Sequence, residues 1–162
     1  MNKVKLFLLL DNASRFILVE AFIFLGWARL LKGRPFSKVA PILGQPWGET
    51  SYNSSELYMK QLKTISQAIQ IMSRYTFWES ECLVKSIAGM KMLERRKIES
   101  TIYLGISKDE NNKLIAHAWL RSGPFILTGA KEMGKFTVVN KFAKKFSNEC
   151  IEGDNYEKEL HS

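Results

Sequence analysis

The feature that most constrains the fold is a series of strand-like segments in the second half of the chain. Each segment is rich in β-branched and aromatic residues, and turn compositions rich in Asp, Asn, Gly and Pro separate them. They cover residues 100–107, 113–121, 125–128 and 135–142. The pattern predicts an antiparallel meander, with a helix packed on one face of the sheet.

Helical patterns fill the first half of the chain. Residues 16–31 are apolar almost all round, in a helix that Asp11 or Ser14 can cap and that ends near Lys32. A helix of this composition must be covered. The sequence leaves two alternatives open: the rest of this chain covers it, or another protein docks on it.

Two shorter stretches complete this half. Residues 35–43 predict a short helix, and residues 44–48 predict a loop because two glycines and a proline interrupt regular structure. A third helix, capped by Ser54 or Ser55, is expected to run to about Tyr75. Its apolar stripe at helical spacing consists of Tyr58, Leu62, Ile65, Ile69 and Met72.

A fourth helix is expected to carry Cys82. Thr76 and Glu79 match the capping-box pattern, so the helix would begin there and hold Cys82 within its first two turns. The whole pattern predicts an α+β fold in three parts. These are an all-helical N-terminal region over residues 1–75, a core of the cysteine helix and the sheet over residues 76–147, and a polar tail over residues 148–162.

Cys82 and His117 are the candidate catalytic residues. A helix start favours the thiolate form of a cysteine, and a strand holds a histidine in a fixed position to accept the thiol proton. Cys82 and His117 occupy those two settings, and the chain between them is long enough to bring the side chains together. The alternative for a lone cysteine is a buried, inert thiol.

No metal or other cofactor is expected. Cys82 and Cys150 show neither metal-ligand spacing nor a disulfide framework, and adding His117 and His161 does not produce a zinc pattern. Free cysteines of this kind suit a reducing cytoplasm. The N-terminus makes a poor signal peptide, and charged residues interrupt the apolar window of residues 16–31, so membrane contact is the less favoured alternative.

The net charge of +8 allows nucleic acid, anionic lipid or an acidic peptide as a partner. The basic residues are scattered, however, and no module that combines basic and aromatic residues for nucleic-acid binding is recognisable. The composition therefore favours a solvated basic surface with no nucleic-acid partner.

Several short motifs occur in a definite order between residues 78 and 123. The motif residues are Trp78, Cys82-Leu83, Leu93, Arg95-Arg96, Leu104-Gly105-Ile106, Ala116-His117-Ala118-Trp119-Leu120 and Gly123. This order resembles the transglutaminase-like protease domain of lasso-peptide biosynthesis B proteins. The resemblance covers about residues 77–129, and the helical stretch of residues 18–44 is similar to the region ahead of that domain.

The resemblance implies a papain-like cysteine protease. Such a protein removes the leader from a ribosomally made precursor peptide, with Cys82 as nucleophile and His117 as base. An asparagine-synthetase-like cyclase then closes the core peptide. Because this chain begins with apolar helices, the resemblance implies the stand-alone peptidase form, which depends on a separate leader-recognition protein.

The motif departs from the family at one position. Members often place an aspartate about a dozen residues after the histidine, where this chain has Gly129. The Thr128 hydroxyl, a backbone carbonyl or Asn140 could orient the imidazole instead, or Cys82 and His117 could act as a dyad. Two other functions stay open: a non-catalytic scaffold that gathers precursor and cyclase through the helix of residues 16–31, and an acyltransferase of the same fold.

Overall fold

The computed structural model describes residues 9–53, 56–78 and 80–146 of the chain. In these ranges the helices are α1 (Asn12–Lys32), α2 (Phe36–Leu43), α3 (Glu56–Met72) and α4 (Cys82–Glu94). The strands are β1 (Gln45–Pro46), β2 (Ser100–Lys108), β3 (Leu114–Ser122), β4 (Phe125–Thr128) and β5 (Thr137–Lys144), with a 3₁₀ turn at Met133–Lys135. Helices packed with an antiparallel sheet confirm the α+β class.

The ends of two helices show how local side chains select a start. Asp11 caps α1, because its carboxylate accepts a hydrogen bond from the backbone N–H of Ser14 at 3.2 Å. The predicted start of the cysteine helix at Thr76 is wrong, since α4 begins at Cys82. The Thr76 hydroxyl bonds instead to the Ser73 carbonyl at 3.2 Å and to the Ser80 hydroxyl at 2.9 Å. Glu79, Ser54 and Ser55 lie outside the described residues.

The sheet is antiparallel throughout but is not a meander. Its strand order is β1-β5-β2-β3-β4, so β5 crosses over to pair with β2. The reason lies at the end of β4, which is only four residues long. Gly129 follows it in a left-handed conformation with a φ of 76° and turns the chain away. The long free edge of β2 then receives β5.

The N-terminal region is not all helical, which corrects a second prediction. Gln45 and Pro46 pair with Ala143 and Phe142 of β5 instead of forming a plain loop. Gly44 makes this possible: its φ is 110°, and a Cβ there would lie 2.3 Å from the Ala143 carbonyl oxygen. Because glycine has no Cβ, the backbone can approach β5 closely enough to pair.

The two faces of the sheet have different surroundings. Helices cover one face, where Ile102, Leu120 and Phe142 belong to the hydrophobic core. A Cβ added to Gly89 of α4 would lie 2.7 Å from the Leu120 side chain, so α4 packs directly on β3. The other face, here called the second face, carries alternate residues of the same strands, including Tyr103 and its register partner Trp119.

The rest of the chain covers α1 on one side only, and docking of another protein on the helix stays a prediction. One side is buried in the core, whereas the opposite side is exposed. The buried residues of α1 are Ala21, Leu25, Ala28 and Leu31. They join one core cluster with residues of α4 and the sheet, while the division at residues 75 and 76 stays a prediction. The predicted tail, residues 148–162, lies outside the described residues.

Candidate functional site

Cys82 is the first residue of α4 and follows the N-cap residue Glu81. It is half-buried, and its thiol is not in a disulfide. The first backbone hydrogen bond of the helix runs from Lys85 N–H to the Glu81 carbonyl at 3.1 Å. The N–H groups of Cys82, Leu83 and Val84 therefore have no acceptor within the helix. This arrangement offers donors and the positive end of the helix dipole to an anion.

His117 lies on β3 opposite Gly105 of β2. Its ring sits between two aromatic rings, with centroid distances of 6.0 Å to Trp119 and 4.9 Å to Phe136. Its Nε2 atom is 2.9 Å from the carbonyl oxygen of Gly129. Because a carbonyl can only accept, Nε2 carries the proton and donates. In the neutral ring, the Nδ1 lone pair is then left to act as a base.

Of the three groups proposed to orient the imidazole, the structure places a backbone carbonyl there. The Thr128 hydroxyl is engaged elsewhere, 2.8 Å from the Ser86 hydroxyl of α4. The Asn140 side chain accepts a hydrogen bond from the backbone N–H of Lys141 at 2.8 Å. The Gly129 carbonyl therefore fixes the tautomer, as a carboxylate would, but it contributes no negative charge.

The position of Gly129 leaves no room for a side chain. A Cβ there would lie 2.5 Å from the Ala118 carbonyl oxygen and 2.7 Å from the Cβ of Trp119. An aspartate, which the resemblance leads one to expect, would have to displace β3 itself. The observed packing of β3 against position 129 therefore requires glycine there.

The structure brings the elements that carry Cys82 and His117 to one corner of the sheet. Ser86 lies one turn after Cys82 on the same side of α4, and its hydroxyl bonds to Thr128, the residue before Gly129. The two catalytic candidates do not touch, however. The His117 side chain projects from β3 on the second face, whereas α4 packs on the opposite face, against Leu120. No hydrogen bond joins the thiol to the imidazole among the described residues.

A buried ionic cluster lies on the second face, beyond Trp119. Arg121 is almost fully buried, and its guanidinium donates to the carbonyl oxygens of Thr50 and Gly123, both at 2.8 Å. It also donates to the Tyr103 hydroxyl at 2.9 Å and forms an ion pair with Glu49 at 3.4 Å. These bonds hold the segment after β1 against the sheet.

The pKa values of two groups in this cluster are shifted in opposite directions. Glu49 accepts hydrogen bonds from Lys141 and Tyr103, which lower the pKa of its carboxyl to about 2. Burial, and then the hydrogen bond to Glu49, raise the pKa of the Tyr103 hydroxyl above its usual range. Tyr103 stacks on Trp119 with a centroid distance of 5.5 Å. The cluster is thereby connected through aromatic rings to His117.

An open groove of about 490 Å³ lies at the other end of the second face. Ile115 and Phe136 contribute apolar surface, and Phe136 is also the residue in contact with the His117 ring. Charged residues of both signs line the rim, namely Lys108, Asp109, Glu110, Glu132 and Lys135. The groove is therefore next to His117.

Sequence patterns did not reveal the ionic cluster. Arg121 lies at the end of a predicted strand, and Glu49 lies in a stretch without periodicity. The alternation of β3 places Arg121 on the same face as Trp119 and His117, which is the one local signal that it faces inward. Only the folding of residues 49–51 over β3 buries it.

Neither a metal centre nor a membrane span is found in the parts of the chain that the structure describes. These parts contain no group of three or more His, Cys, Asp or Glu residues that could hold a metal ion. They also contain no helix long and apolar enough to cross a bilayer. Cys150 and His161, which the zinc alternative required, lie outside the described residues.

Comparison with known proteins gives one match. A family model described as the transglutaminase-like superfamily matches residues 21–141, which is more than half of the chain. No curated protein and no solved structure is similar enough to count as a match. The match includes both Cys82 and His117, together with the second half of α1 and most of the sheet.

Proposed function

Because the chain belongs to the transglutaminase-like superfamily, which includes cysteine peptidases and transglutaminases, we propose that it is a cysteine peptidase. Its substrate is a ribosomally synthesised lasso precursor peptide, from which it removes the leader before a partner cyclase closes the macrolactam. The observation that carries the proposal is the hydrogen bond from His117 Nε2 to the Gly129 carbonyl. That bond leaves the Nδ1 lone pair free to act as a base.

In the proposed reaction, His117 Nδ1 takes the proton of the Cys82 thiol. The thiolate attacks the carbonyl carbon between leader and core, and N–H groups at the start of α4 stabilise the oxyanion. The C–N bond breaks, and the imidazolium gives its proton to the leaving amine of the core. Water then hydrolyses the thioester, which releases the leader carboxylate and restores the thiol.

This reaction requires the thiol and Nδ1 to approach each other. In the free protein His117 projects from the second face of the sheet and α4 packs on the other face, so the proposal requires a rearrangement near the end of β4 when substrate binds. The groove beside His117 supports peptide binding, since it is open and combines apolar surface with charges of both signs. We expect an extended precursor peptide to bind in this groove.

The proposal includes its partners. The precursor peptide, a separate leader-recognition protein and an asparagine-synthetase-like cyclase act with this chain in a reducing cytoplasm. No cofactor takes part, because thiol and imidazole suffice for the chemistry.

The test is cleavage of a lasso precursor peptide in the presence of a leader-recognition protein, followed by mass spectrometry. We expect Cys82→Ala and His117→Ala each to abolish release of the leader. Cys150→Ala and His161→Ala are matched controls, because they remove the other cysteine and the other histidine of the chain. Cleavage that persists in purified, folded Cys82→Ala protein would contradict the proposal.

A non-catalytic scaffold is the second candidate, and the missing hydrogen bond between Cys82 and His117 favours it. A scaffold would bind precursor and cyclase without a reactive thiol. Alkylation by iodoacetamide near neutral pH distinguishes the two functions in a Cys150→Ala background. Rapid, selective labelling of Cys82 that His117→Ala slows supports the peptidase. Labelling that is slow and independent of His117 supports the scaffold.

A further inference from the structure

One side of α1 exposes a continuous apolar surface, here called the α1 ridge. Its residues follow one another at spacings of three, four and seven, so they line one side of the helix. The exposed fractions are 76% for Phe16, 46% for Val19, 59% for Ile23 and 75% for Leu30. Scattered exposed apolar residues are ordinary, whereas a contiguous row of them indicates an interaction site.

The segment before α4 widens this ridge. Trp78 packs against α1, with its ring 5.3 Å from that of Phe22 and close to Gly26. The ring of the preceding residue, Phe77, lies 4.5 Å from Trp78 and is 91% exposed. Phe77 therefore projects beside α1 into solvent. Phe77, Phe16 and Leu30 are the most exposed large apolar side chains of the described helices and of the segment before α4.

Positive charges border the ridge. Arg15 and Arg29 lie along one side of it by helical spacing. On the other side, Glu20 is held by Arg96 at 2.6 Å and by Arg95 at 3.3 Å, and Arg95 keeps more than half of its side chain exposed. Glu20 is the one acidic residue of α1, so no unneutralised negative charge interrupts the row. A cavity lined by Phe16, Glu20, Arg95 and Arg96 opens at this border.

We propose that the α1 ridge docks on an anionic lipid surface. Bulky apolar side chains on one side of a helix, bordered by arginines, suit the boundary between acyl chains and negatively charged headgroups. The guanidinium group of Arg95, which is more than half exposed, is placed to meet a lipid phosphate while Phe16 enters the apolar layer. This inference is independent of the proposed peptidase activity.

The same charges disfavour a second copy of the chain as occupant. If two ridges paired in antiparallel orientation, Arg15 of one copy would meet Arg29 of the other, and like charges repel. A protein partner would need a concave surface to receive a protruding row of side chains. A lipid surface needs none, because its chains adapt to the ridge.

Co-sedimentation of the full chain with vesicles tests the inference. We expect binding to vesicles of phosphatidylcholine with phosphatidylglycerol, weak binding to phosphatidylcholine alone, and loss of binding as salt is raised. The double variant Phe16→Ser/Leu30→Ser should weaken binding about tenfold or more. Leu114→Ser is the matched control, since Leu114 is also largely exposed but lies on β3.

The charge requirement has its own pair of variants. Arg15→Gln/Arg29→Gln should reduce binding to the anionic vesicles, whereas Lys60→Gln/Lys63→Gln on α3 should leave it unchanged. Circular dichroism checks that each variant keeps the fold. The inference is overturned if the wild-type chain does not bind anionic vesicles, or if Leu114→Ser weakens binding as much as the ridge variant. A dimer that Leu30→Ser dissociates would assign the ridge to a second copy instead.

Discussion

The helix-covered face of the sheet and its second face are closed by different interactions. Leu120 contacts α4 in a dry apolar core, whereas its neighbour Arg121 enters a cluster of hydrogen bonds and ion pairs. Apolar contacts have little directional preference, so many side chains of suitable volume could pack on the helix-covered face. The ionic cluster works only if each donor finds its acceptor, and it therefore holds residues 49–51 in one position.

The two ends of the second face also differ from each other. The second face is closed by the ionic cluster at the end near Arg121 and is open at the end near His117. The hydrogen-bonded cluster supports Trp119, which contacts the His117 ring, and it could therefore help to position the proposed catalytic histidine.

Arg121→Ala should have the largest effect. It leaves the Glu49 carboxylate short of a partner and removes the donor to the carbonyls of Thr50 and Gly123. We expect the free energy of unfolding in urea to fall by about 3 to 5 kcal/mol. Arg74→Ala, at an exposed position, should change it by less than about 0.5 kcal/mol. Equal effects of the two variants would mean that the cluster does not close the second face.

Leu120→Ala tests the helix-covered face with the neighbouring residue. Loss of a buried leucine side chain under α4 should lower the free energy of unfolding by about 3 kcal/mol. Leu114→Ala, on the exposed part of the same strand, should have little effect. If Leu120→Ala lowers the free energy of unfolding by less than about 1 kcal/mol, α4 must relax into the cavity that the substitution leaves.

The pH dependence of stability should report Glu49. Its pKa is about 2 in the folded chain against an ordinary value of 4.5, so its contribution is complete above pH 4.5 and is lost as the pH falls towards 2. Because Glu49 is partly exposed, we expect about 2 kcal/mol. Glu49→Gln should be destabilised at neutral pH and match wild type near pH 2. Glu110→Gln, at an exposed position, should change the free energy of unfolding at neutral pH by less than about 0.5 kcal/mol.

The smallest effect on the free energy of unfolding is expected for the hydrogen bond between α4 and the end of β4. Ser86→Ala leaves the buried Thr128 hydroxyl without its partner, which should cost about 1 to 2 kcal/mol. The double variant Ser86→Ala/Thr128→Val should recover part of this loss, because both polar groups are then gone. A strictly additive result in the double-mutant cycle would show that the hydrogen bond does not tie α4 to the end of β4.

Much of the fold was predictable from local patterns. The apolar periodicity of α1 and α3 and the composition of β2, β3 and β4 placed these elements within a few residues of their observed bounds. Leu62, Ile65 and Ile69 of the predicted stripe are fully buried. The prediction failed at Thr76, because a capping pattern specifies a hydroxyl and a carboxyl but not the bonds that compete for them.

The candidate site was predictable as residue types but not as geometry. The sequence singled out Cys82 and His117, and the family match includes both, while their catalytic roles stay proposals. That a carbonyl at Gly129 holds the ring could not be read from the sequence, since every residue has a carbonyl and its direction depends on backbone conformation. The burial of Arg121 could not be predicted either, because it depends on residues 49–51, which lie far from Arg121 in the sequence.

The sequence by itself determined the helices, the strands and the two residue types on which a thiol mechanism rests, because periodicity and composition are local properties. Only the tertiary structure decided the crossover of β5, the closure of the second face by Glu49 and Arg121, and which side of α1 stays bare. Each of these depends on contacts between residues far apart in the chain, and such contacts form only when the whole core has assembled.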